Sequence, residues 1–286
     1  MRAEPFPEFF RRGRRDRHRG YDPPARHSQQ GSSRWQGVAV GTLEKKTALV
    51  TGGSRGIGRA IVVRLAREGA VVLFSFKHDQ AAAEDVVAEV AAFGGRAIAV
   101  RADQGSLADL KHLFDEVDRN LAGLDVVVVN AAISPMGNIC DATESDFDEV
   151  MAVNTKGPFF ILQAAAERLG QGGRIVNISS SGAVPGMALY FAAKAALETI
   201  TVVAAREFGP RGITVNSVSP GATDTDGMRA AAGENPEQAI RHVVAMTPLQ
   251  RLGHPDDIAN VVAFLAGPES QWITGQNLRV SGGLTI

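Results

Sequence analysis

The stretch that decides the fold runs from Thr47 to Ala60 and reads TALVTGGSRGIGRA. Its apolar start, residues 48–50, is followed by a cluster of glycines and then by apolar residues three and four positions apart. This pattern predicts a strand, a tight turn and a helix. Glycine allows backbone angles that are closed to other residues, and the first turn of a helix presents unpaired N–H groups with a partial positive charge. The stretch therefore predicts a site for a phosphate or pyrophosphate group.

The glycines are spaced Gly52-x-x-x-Gly56-x-Gly58. The strict G-x-G-x-x-G pattern of many dinucleotide sites is therefore absent. A glycine-rich turn that merely joins two buried elements remains the alternative, and the rest of the chain must decide between the two interpretations.

Length and composition set the outer limits. The chain has 286 residues, enough for one large or two small α/β domains with a sizeable core. No apolar run approaches the ~18 residues that a membrane-spanning helix needs, so the sequence does not predict a membrane protein. A single cysteine, Cys140, excludes an internal disulfide; we expect it to be a small buried side chain in a protein of a reducing compartment, the cytoplasm. The six histidines show no metal-ligand spacing, and no metal site is expected.

The amino-terminal segment differs from the rest of the chain. Its first 36 residues hold nine arginines against four acidic residues, a net charge of +5, whereas the whole chain carries −1. Such dense charge with few aliphatic residues cannot bury enough surface to fold, so residues 1–40 are predicted to be a disordered arginine-rich tail. Contact with nucleic acid is the functional alternative for this tail, and simple solvation is the one that its composition favours.

From Lys45 onward, predicted strands and helices alternate, which is typical of right-handed βαβ units and a parallel sheet. We expect a single doubly wound α/β domain of Rossmann type over residues 41–286, with a mostly parallel seven-stranded sheet and helices on both faces. Residues 221–248 have weaker periodicity and are interpreted as a flap over the site. The later predicted strands are Val71–Phe76, Ala97–Arg101, Leu124–Val129, Arg174–Ile178, Ile213–Val218 and Asn277–Val280, and the later helices are Gln80–Phe93, Leu107–Leu121, Ala142–Leu169, Leu189–Phe208 and Asp256–Leu265.

In such sheets, ligands bind beyond the carboxyl ends of the strands. Polar residues stand at these ends: Thr51, Lys77, Asp103, Asn130, Ser179 to Ser181 and Pro220-Gly221. The second strand ends at Lys77 without the acidic residue that commonly binds the ribose hydroxyls of NAD, and Arg55 lies inside the glycine turn. Two cations favour a 2′-phosphate and hence NADP. NAD remains possible if both charges are only solvated.

A second chemical signal is the sequence Tyr190-Phe-Ala-Ala-Lys194, which follows Ser179-Ser180-Ser181. Residues four apart share one face of a helix, so the Lys194 ammonium can approach the Tyr190 phenol and favour its ionised form. Such a tyrosine can give a proton in one direction and take it in the other. With a serine hydroxyl to hold the carbonyl oxygen, the group fits reversible reduction of a ketone by a nicotinamide cofactor.

With these motifs in order, the chain resembles the short-chain dehydrogenase/reductase family from about residue 43 to 283, and within it the group of 3-oxoacyl-carrier-protein reductases and glucose dehydrogenases. The matching motifs are Thr51-Gly52-x-x-x-Gly56-x-Gly58, Asp103, Asn130-Ala131-Ala132, Val153-Asn154, Ile178-Ser179-Ser180, Tyr190-x-x-x-Lys194, Pro220-Gly221-x-x-x-Thr225, Pro248 to Gly253, Ile273 to Gln276 and Val280 to Gly283.

The resemblance implies a role for each matching residue. Tyr190 would be the proton donor, Lys194 would lower its pKa and bind the nicotinamide ribose, Ser180 would orient the carbonyl, and Asn154 would kink its helix and hold a water. Asp103 would bind the adenine amine, Asn130 would meet the adenosine side, and Thr225 the carboxamide. Cofactor contacts are implied for Gly52, Ser54, Arg55, Gly56, Ile57, Gly58, Lys77, Asp103, Gln104, Asn130, Ala131, Ala132, Tyr190, Lys194, Pro220, Gly221, Thr223 and Thr225. A homotetramer or homodimer, paired through the long helices and the last strand, is also implied.

The chain departs from the family pattern in two places. The motif after the fourth strand usually reads Asn-Asn-Ala-Gly, and here Val129 to Ala132 lack its first amide and its glycine. Only ten residues separate Ser180 from Tyr190, about three fewer than the resemblance leads us to expect, so the active serine could instead be Ser179 or Ser181.

Three functions are compared. The first is an NADP(H)-dependent oxidoreductase that interconverts a small or medium ketone, or an oxoacyl thioester, and a secondary alcohol. The second is a non-catalytic dinucleotide-binding regulator that contacts nucleic acid through its basic tail. A serine hydrolase is disfavoured because no G-x-S-x-G motif occurs.

Overall fold

A computed structural model describes residues 41–231 and 235–285. Seven parallel strands form one sheet in the order β3-β2-β1-β4-β5-β6-β7, which confirms the predicted doubly wound fold. The strands are β1 (Thr47–Val50), β2 (Val71–Phe76), β3 (Arg96–Arg101), β4 (Leu124–Val129), β5 (Leu169–Ile178), β6 (Thr214–Pro220) and β7 (Asn277–Val280). The predicted tail, residues 1–40, lies outside the described residues.

Helices connect the strands and cover both faces of the sheet. They are α1 (Gly56–Arg67), α2 (Gln80–Ala92), α3 (Leu107–Asn120), α4 (Glu144–Met151), α5 (Gly157–Arg168), α6 (Ala188–Phe208), α7 (Asp226–Ala231), α8 (Pro236–Met246) and α9 (Pro255–Ala266). The predicted flap therefore contains two helices, α7 and α8, in its described part. The described residues from 41 onward group into one compact unit.

The central strands are apolar on both faces because helices cover both. In β1, Ala48 and Val50 belong to one buried cluster, together with side chains of α1, α2 and α9, while Leu49 belongs to the other cluster, with side chains of α3, α5 and α6. Adjacent residues of a strand point to opposite faces, so a continuous apolar run can contribute to both layers at once. This packing fixes the carboxyl ends of β1 and β4 side by side, where the direction of the crossovers reverses.

Two elements differ from expectation. The predicted helix from Ala142 to Leu169 is divided into α4 and α5 by a π-helical turn at Ala152–Lys156. Cys140, expected to be buried, is exposed, because it lies in the loop between β4 and α4 rather than in a core element.

Helix α6, with the short turn that follows it, is the one stretch of the described chain that is long and apolar enough to cross a membrane. The most apolar 18-residue window of residues 188–211 has a mean hydropathy of 1.4, and a third of that window is buried. In this fold the helix packs against β6 and carries Tyr190 and Lys194. Its apolar character is therefore explained in part by its position over the sheet.

Candidate active site

The glycine turn joins β1 to α1, as the sequence predicts. Gly52 has a φ of +68° and Gly56 a φ of +54°, both in the left-handed region that favours glycine. At Gly58 the restriction is space, because a Cβ there would overlap the carbonyl oxygen of Gly52. The turn consequently leaves its main chain open to a close ligand.

The start of α1 is suited to an anion. Arg55, at the N-cap, makes no side-chain capping bond. Among the described residues, the N–H groups of Ile57 and Gly58 have no hydrogen-bond acceptor. Ser54 and Ile57 are half-buried beside them. Unpaired N–H groups and the positive end of the helix dipole together form a site that fits a pyrophosphate.

The residues predicted for the adenosine end contact each other. The Lys77 ammonium lies 2.8 Å from an Asp103 carboxylate oxygen, and the other oxygen of Asp103 accepts the Gly105 N–H at 2.9 Å. Burial opposes ionisation of Asp103, but the hydrogen bonds from Lys77 and from the Gly105 N–H, together with the attraction of the Lys77 charge, outweigh it and lower the pKa of Asp103. The hydrogen bond to Asp103 raises the pKa of Lys77. The position of Lys77 at the strand end suggested a free cation, but here Lys77 is paired with Asp103. Arg55, in contrast, is exposed and has no ion-pair partner in the described part of the chain.

Asn130 supports the glycine turn from the neighbouring strand. Its side-chain amide donates to the carbonyl oxygens of Thr51 and Gly52, both at 3.0 Å. The Thr51 hydroxyl in turn accepts the N–H groups of Asn130 and Ala131 at 3.0 and 3.1 Å. Both amide hydrogens of Asn130 therefore hold the turn, and its contact with the adenosine side of the cofactor stays a prediction.

Gln104, for which the resemblance implies a cofactor contact, has only 4% of its surface exposed, and that contact stays a prediction. Its amide donates to the carbonyl oxygens of Ala131 and Val153 at 2.7 and 2.8 Å, so it ties the loop after β4 to the π-helical turn. Ala131 is half-buried and Ala132 is exposed at the same edge of the sheet.

Asn154 lies in the π-helical turn and is fully buried. Its side chain pairs with one residue of the loop after β4: the oxygen accepts the Ile133 N–H at 3.0 Å, and the nitrogen donates to the Ile133 carbonyl at 2.7 Å. The π-helical turn lies where the resemblance implies a kink. Its structural reason is that a buried amide needs partners outside its own helix.

Tyr190 and Lys194 lie one turn apart on α6, as predicted, with the Lys194 nitrogen 5.8 Å from the centre of the Tyr190 ring. That nitrogen is buried and donates to the Ile178 carbonyl at 2.7 Å. Burial lowers the pKa of Lys194 to about 8. Burial also raises the pKa of Tyr190, with a bond from Ser180 acting in the opposite direction. The expected lowering of the Tyr190 pKa by Lys194 is therefore not found in the cofactor-free protein, and the phenol stays protonated near neutral pH.

The three candidate serines have different partners. The Ser179 hydroxyl donates to a Glu198 carboxylate oxygen at 2.7 Å, and the Ser181 hydroxyl donates to the Pro220 carbonyl at 2.8 Å. Ser180, between them, is the serine whose hydroxyl bonds the Tyr190 phenol, an interaction that by itself lowers the pKa of Tyr190.

The segment after β6 passes close to the glycine turn. The Thr225 methyl group lies 3.3 Å from the position that a Cβ of Gly56 would occupy. Gly221 donates its N–H to Val280 at 3.0 Å. Thr223 is buried and its hydroxyl donates to the Gly221 carbonyl at 3.0 Å. The cofactor contacts of Thr223 and Thr225 stay predictions.

The sequence did not identify Glu198. This residue accepts the hydroxyls of Ser179 and Ser219, the second at 3.2 Å, and it lines a cavity of about 360 Å³ beside Lys194 and Arg279. The available signal was its position one turn beyond Lys194 on the face that carries Tyr190. Within the described residues, no cluster of three or more histidine, cysteine or acidic side chains could hold a metal ion.

Fold and site together define a dinucleotide-binding oxidoreductase of the Rossmann class. The family model described as enoyl-(acyl carrier protein) reductase matches residues 52–285. Versicolorin reductase 1 of Aspergillus parasiticus is 40% identical, over 84% of this chain and 97% of that protein. The chain belongs to the short-chain dehydrogenase/reductase family, and it is an NAD(P)-dependent oxidoreductase.

Solved structures agree with this assignment. A short-chain dehydrogenase from Burkholderia cenocepacia in complex with NADP has a TM-score of 0.80 and 43% identity, and covers 85% of this chain and 99% of its own. The angucycline C-6 ketoreductase LanV with bound NADP has a TM-score of 0.80 and 40% identity, with 85% and 97% covered.

Proposed function

We propose that this protein uses NADPH to reduce a ketone to a secondary alcohol and NADP to catalyse the reverse reaction, with Tyr190 as the general acid and base. The observation that carries the proposal is the convergence of Ser180, Tyr190 and Lys194 at the edge of the sheet that also holds the glycine turn. The names of the relatives support it, since two of them are a reductase and a ketoreductase.

NADPH, when bound, supplies the hydride for the carbonyl carbon. The chain's own residues supply the proton and the orientation. The Ser180 hydroxyl donates to the carbonyl oxygen, and the Tyr190 phenol, kept protonated by burial, gives its proton to that oxygen as negative charge develops there. The Lys194 ammonium then stabilises the phenolate one helical turn away and would hold the nicotinamide ribose.

The cofactor preference is proposed from the charges near the adenosine end. The first turn of α1 would hold the pyrophosphate, and Arg55 would bind the 2′-phosphate, because its guanidinium has no other partner among the described residues. Lys77 would contribute after exchanging part of its pairing with Asp103. Support comes from the two related structures that contain NADP.

A turnover assay tests the proposed chemistry. Tyr190→Phe is expected to lower kcat by about a thousandfold, because the general acid is removed. NADPH should still bind to this variant, which is measured as an increase in NADPH fluorescence. Ser180→Ala should lower kcat more than Ser181→Ala does, since the Ser181 hydroxyl is held by Pro220. Full activity of Tyr190→Phe, or a larger loss in Ser181→Ala than in Ser180→Ala, would contradict these roles.

The proposed assembly is a homotetramer or homodimer. Large apolar side chains are exposed on α4, α5 and α6, namely Phe147, Phe159, Val202 and Val203, and Trp272 before β7 is 96% exposed. Exposed apolar surface of this kind marks an interaction site. Light scattering after size exclusion would give the subunit number, and a monomer would refute the proposal.

The second function, a non-catalytic regulator that contacts nucleic acid, depends on residues 1–40, which are outside the described part of the chain. The intact Ser180, Tyr190 and Lys194 give no support to it. We propose a cytoplasmic location from the single cysteine alone; fractionation of the host cell would test it.

A further inference from the structure

The mouth of the active site is formed in part by two loops that are joined to each other. The Gly137 N–H, in the loop after β4, donates to the Gly186 carbonyl in the loop after β5 at 2.8 Å, and Gly137 also forms a parallel bridge with Met187. The Met136 methyl group lies 3.1 Å from the position that a Cβ of Gly186 would take. The two loops therefore form one continuous wall, which we name the mouth wall, residues 133–139 and 182–187.

The mouth wall presents an apolar surface to solvent. Met136 is 54% exposed, Ile139 is 78% exposed and Val184 is 52% exposed. Residues 137, 182 and 186 between these side chains are glycines, which add no side chain to the surface. Monomeric proteins seldom leave such groups together without a ligand or partner. Methionine also adapts to flat ring systems, because its sulfur is polarisable and its chain is flexible.

The charges around this wall are mainly negative, and the exposed Arg279, which lines the cavity beside Gly182, is a cation outside the segments counted here. The described residues of the segments that border the mouth, 133–150, 182–189, 221–231 and 235–248, carry eight carboxylates and two guanidinium groups. Five of the carboxylates lie between Asp141 and Glu149, all on exposed residues. The two guanidiniums are paired, Arg229 with Asp224 at 2.7 Å and Arg241 with Glu237 at 3.4 Å. No unpaired cation from these segments faces an incoming phosphate.

Charge thus separates the two substrate classes that the site chemistry allows. An oxoacyl or enoyl thioester on a carrier protein or coenzyme A brings phosphate groups, which a surface with a net charge of −6 repels. An uncharged ketone with an apolar body is not repelled by these carboxylates, and burial of its apolar surface against the mouth wall favours its binding.

We propose that the substrate is a free, uncharged ketone with an extended apolar body, such as a fused-ring ketone, and that Met136 and Val184 determine this specificity. The inference rests on the proposed ketone reductase activity. The hydride from NADPH reaches the carbonyl carbon and the proton from Tyr190 reaches the oxygen, so the substrate class changes binding and leaves the chemical step as it is.

The test compares four probes under initial-rate conditions with NADPH. For the apolar body, 2-tetralone is expected to give a kcat/KM at least tenfold above that of 2-butanone. For charge, acetoacetyl-coenzyme A should be at least tenfold poorer than the uncharged acetoacetyl-N-acetylcysteamine at low salt. That difference should shrink at about 0.5 M salt, because the screening length falls below the separation of the charges.

Variants locate the effect. Met136→Ser combined with Val184→Ser should lower kcat/KM about tenfold for 2-tetralone and about twofold at most for 2-butanone, which has little apolar surface to lose. Phe264→Ser, at a half-exposed position at the far end of α9, is the matched control and should change neither. Asp141→Asn with Glu144→Gln should raise kcat/KM for acetoacetyl-coenzyme A severalfold, whereas Asp85→Asn on α2 should not.

Each outcome bears on the proposal. A preference for acetoacetyl-coenzyme A over its uncharged analogue, or equal rates for 2-tetralone and 2-butanone, would overturn the inference and leave the ketone reductase function standing. Oxidation of NADPH by none of the four probes would contradict the proposed function itself and the inference with it.

Discussion

The buried charge of Lys194 should lower the free energy of unfolding when no cofactor is bound, because an ammonium that is 3% exposed has lost most of its hydration. Burial lowers the pKa of Lys194 from 10.5 to about 8. At about 1.4 kcal/mol per pKa unit, keeping it charged costs roughly 3 kcal/mol at neutral pH. Replacement by Met removes this cost but leaves the Ile178 carbonyl without its donor, a loss of about 1 kcal/mol. Lys194→Met should therefore be inactive and yet more stable by about 2 kcal/mol.

The pH dependence distinguishes this cause from simple repacking. Between the lowered folded pKa of Lys194, about 8, and its unfolded value of 10.5, the unfolded chain binds more protons than the folded one. The cost is therefore complete below pH 8 and disappears as the pH rises toward 10.5. Urea unfolding of both proteins at several pH values, without cofactor, measures it. Lys156→Met, at an exposed position of the π-helical turn, is the control and should show a difference that does not change in this way. A Lys194→Met protein less stable than wild type at pH 7, by an amount independent of pH, would refute the reasoning.

Three further predictions concern the cofactor site and the π-helical turn beside it. Gly58→Ala should abolish NADPH binding and lower the melting temperature, because its Cβ would overlap the Gly52 carbonyl; unchanged binding in a fluorescence titration would show that the turn is not the site. Arg55→Ala should weaken NADPH binding by about tenfold and leave NADH unaffected, since only the 2′-phosphate loses a partner; an equal loss for both cofactors would contradict that assignment. Asn154→Ala should cost about 2 kcal/mol in urea unfolding, because both of its bonds to Ile133 are lost; a neutral effect would show that they do not hold the kink.

The sequence by itself determined the fold class, because the apolar runs of the strands and the three-to-four spacing of the helices are local patterns. The strand–turn–helix around Gly52 to Gly58 and the shared face of Tyr190 and Lys194 follow from the same local geometry. Glycine and helix spacing need no information about distant parts of the chain, so these features could be predicted.

Only the tertiary structure decided which polar side chains remain free for a ligand. Lys77 and Asp103 stand at the ends of different strands, and their pairing depends on the sheet that makes those strands neighbours. The side chains of Gln104 and Asn130, for which cofactor contacts were expected, bind carbonyl oxygens of the protein. A buried amide must find acceptors wherever the fold brings them, and the sequence does not contain that arrangement in any local pattern.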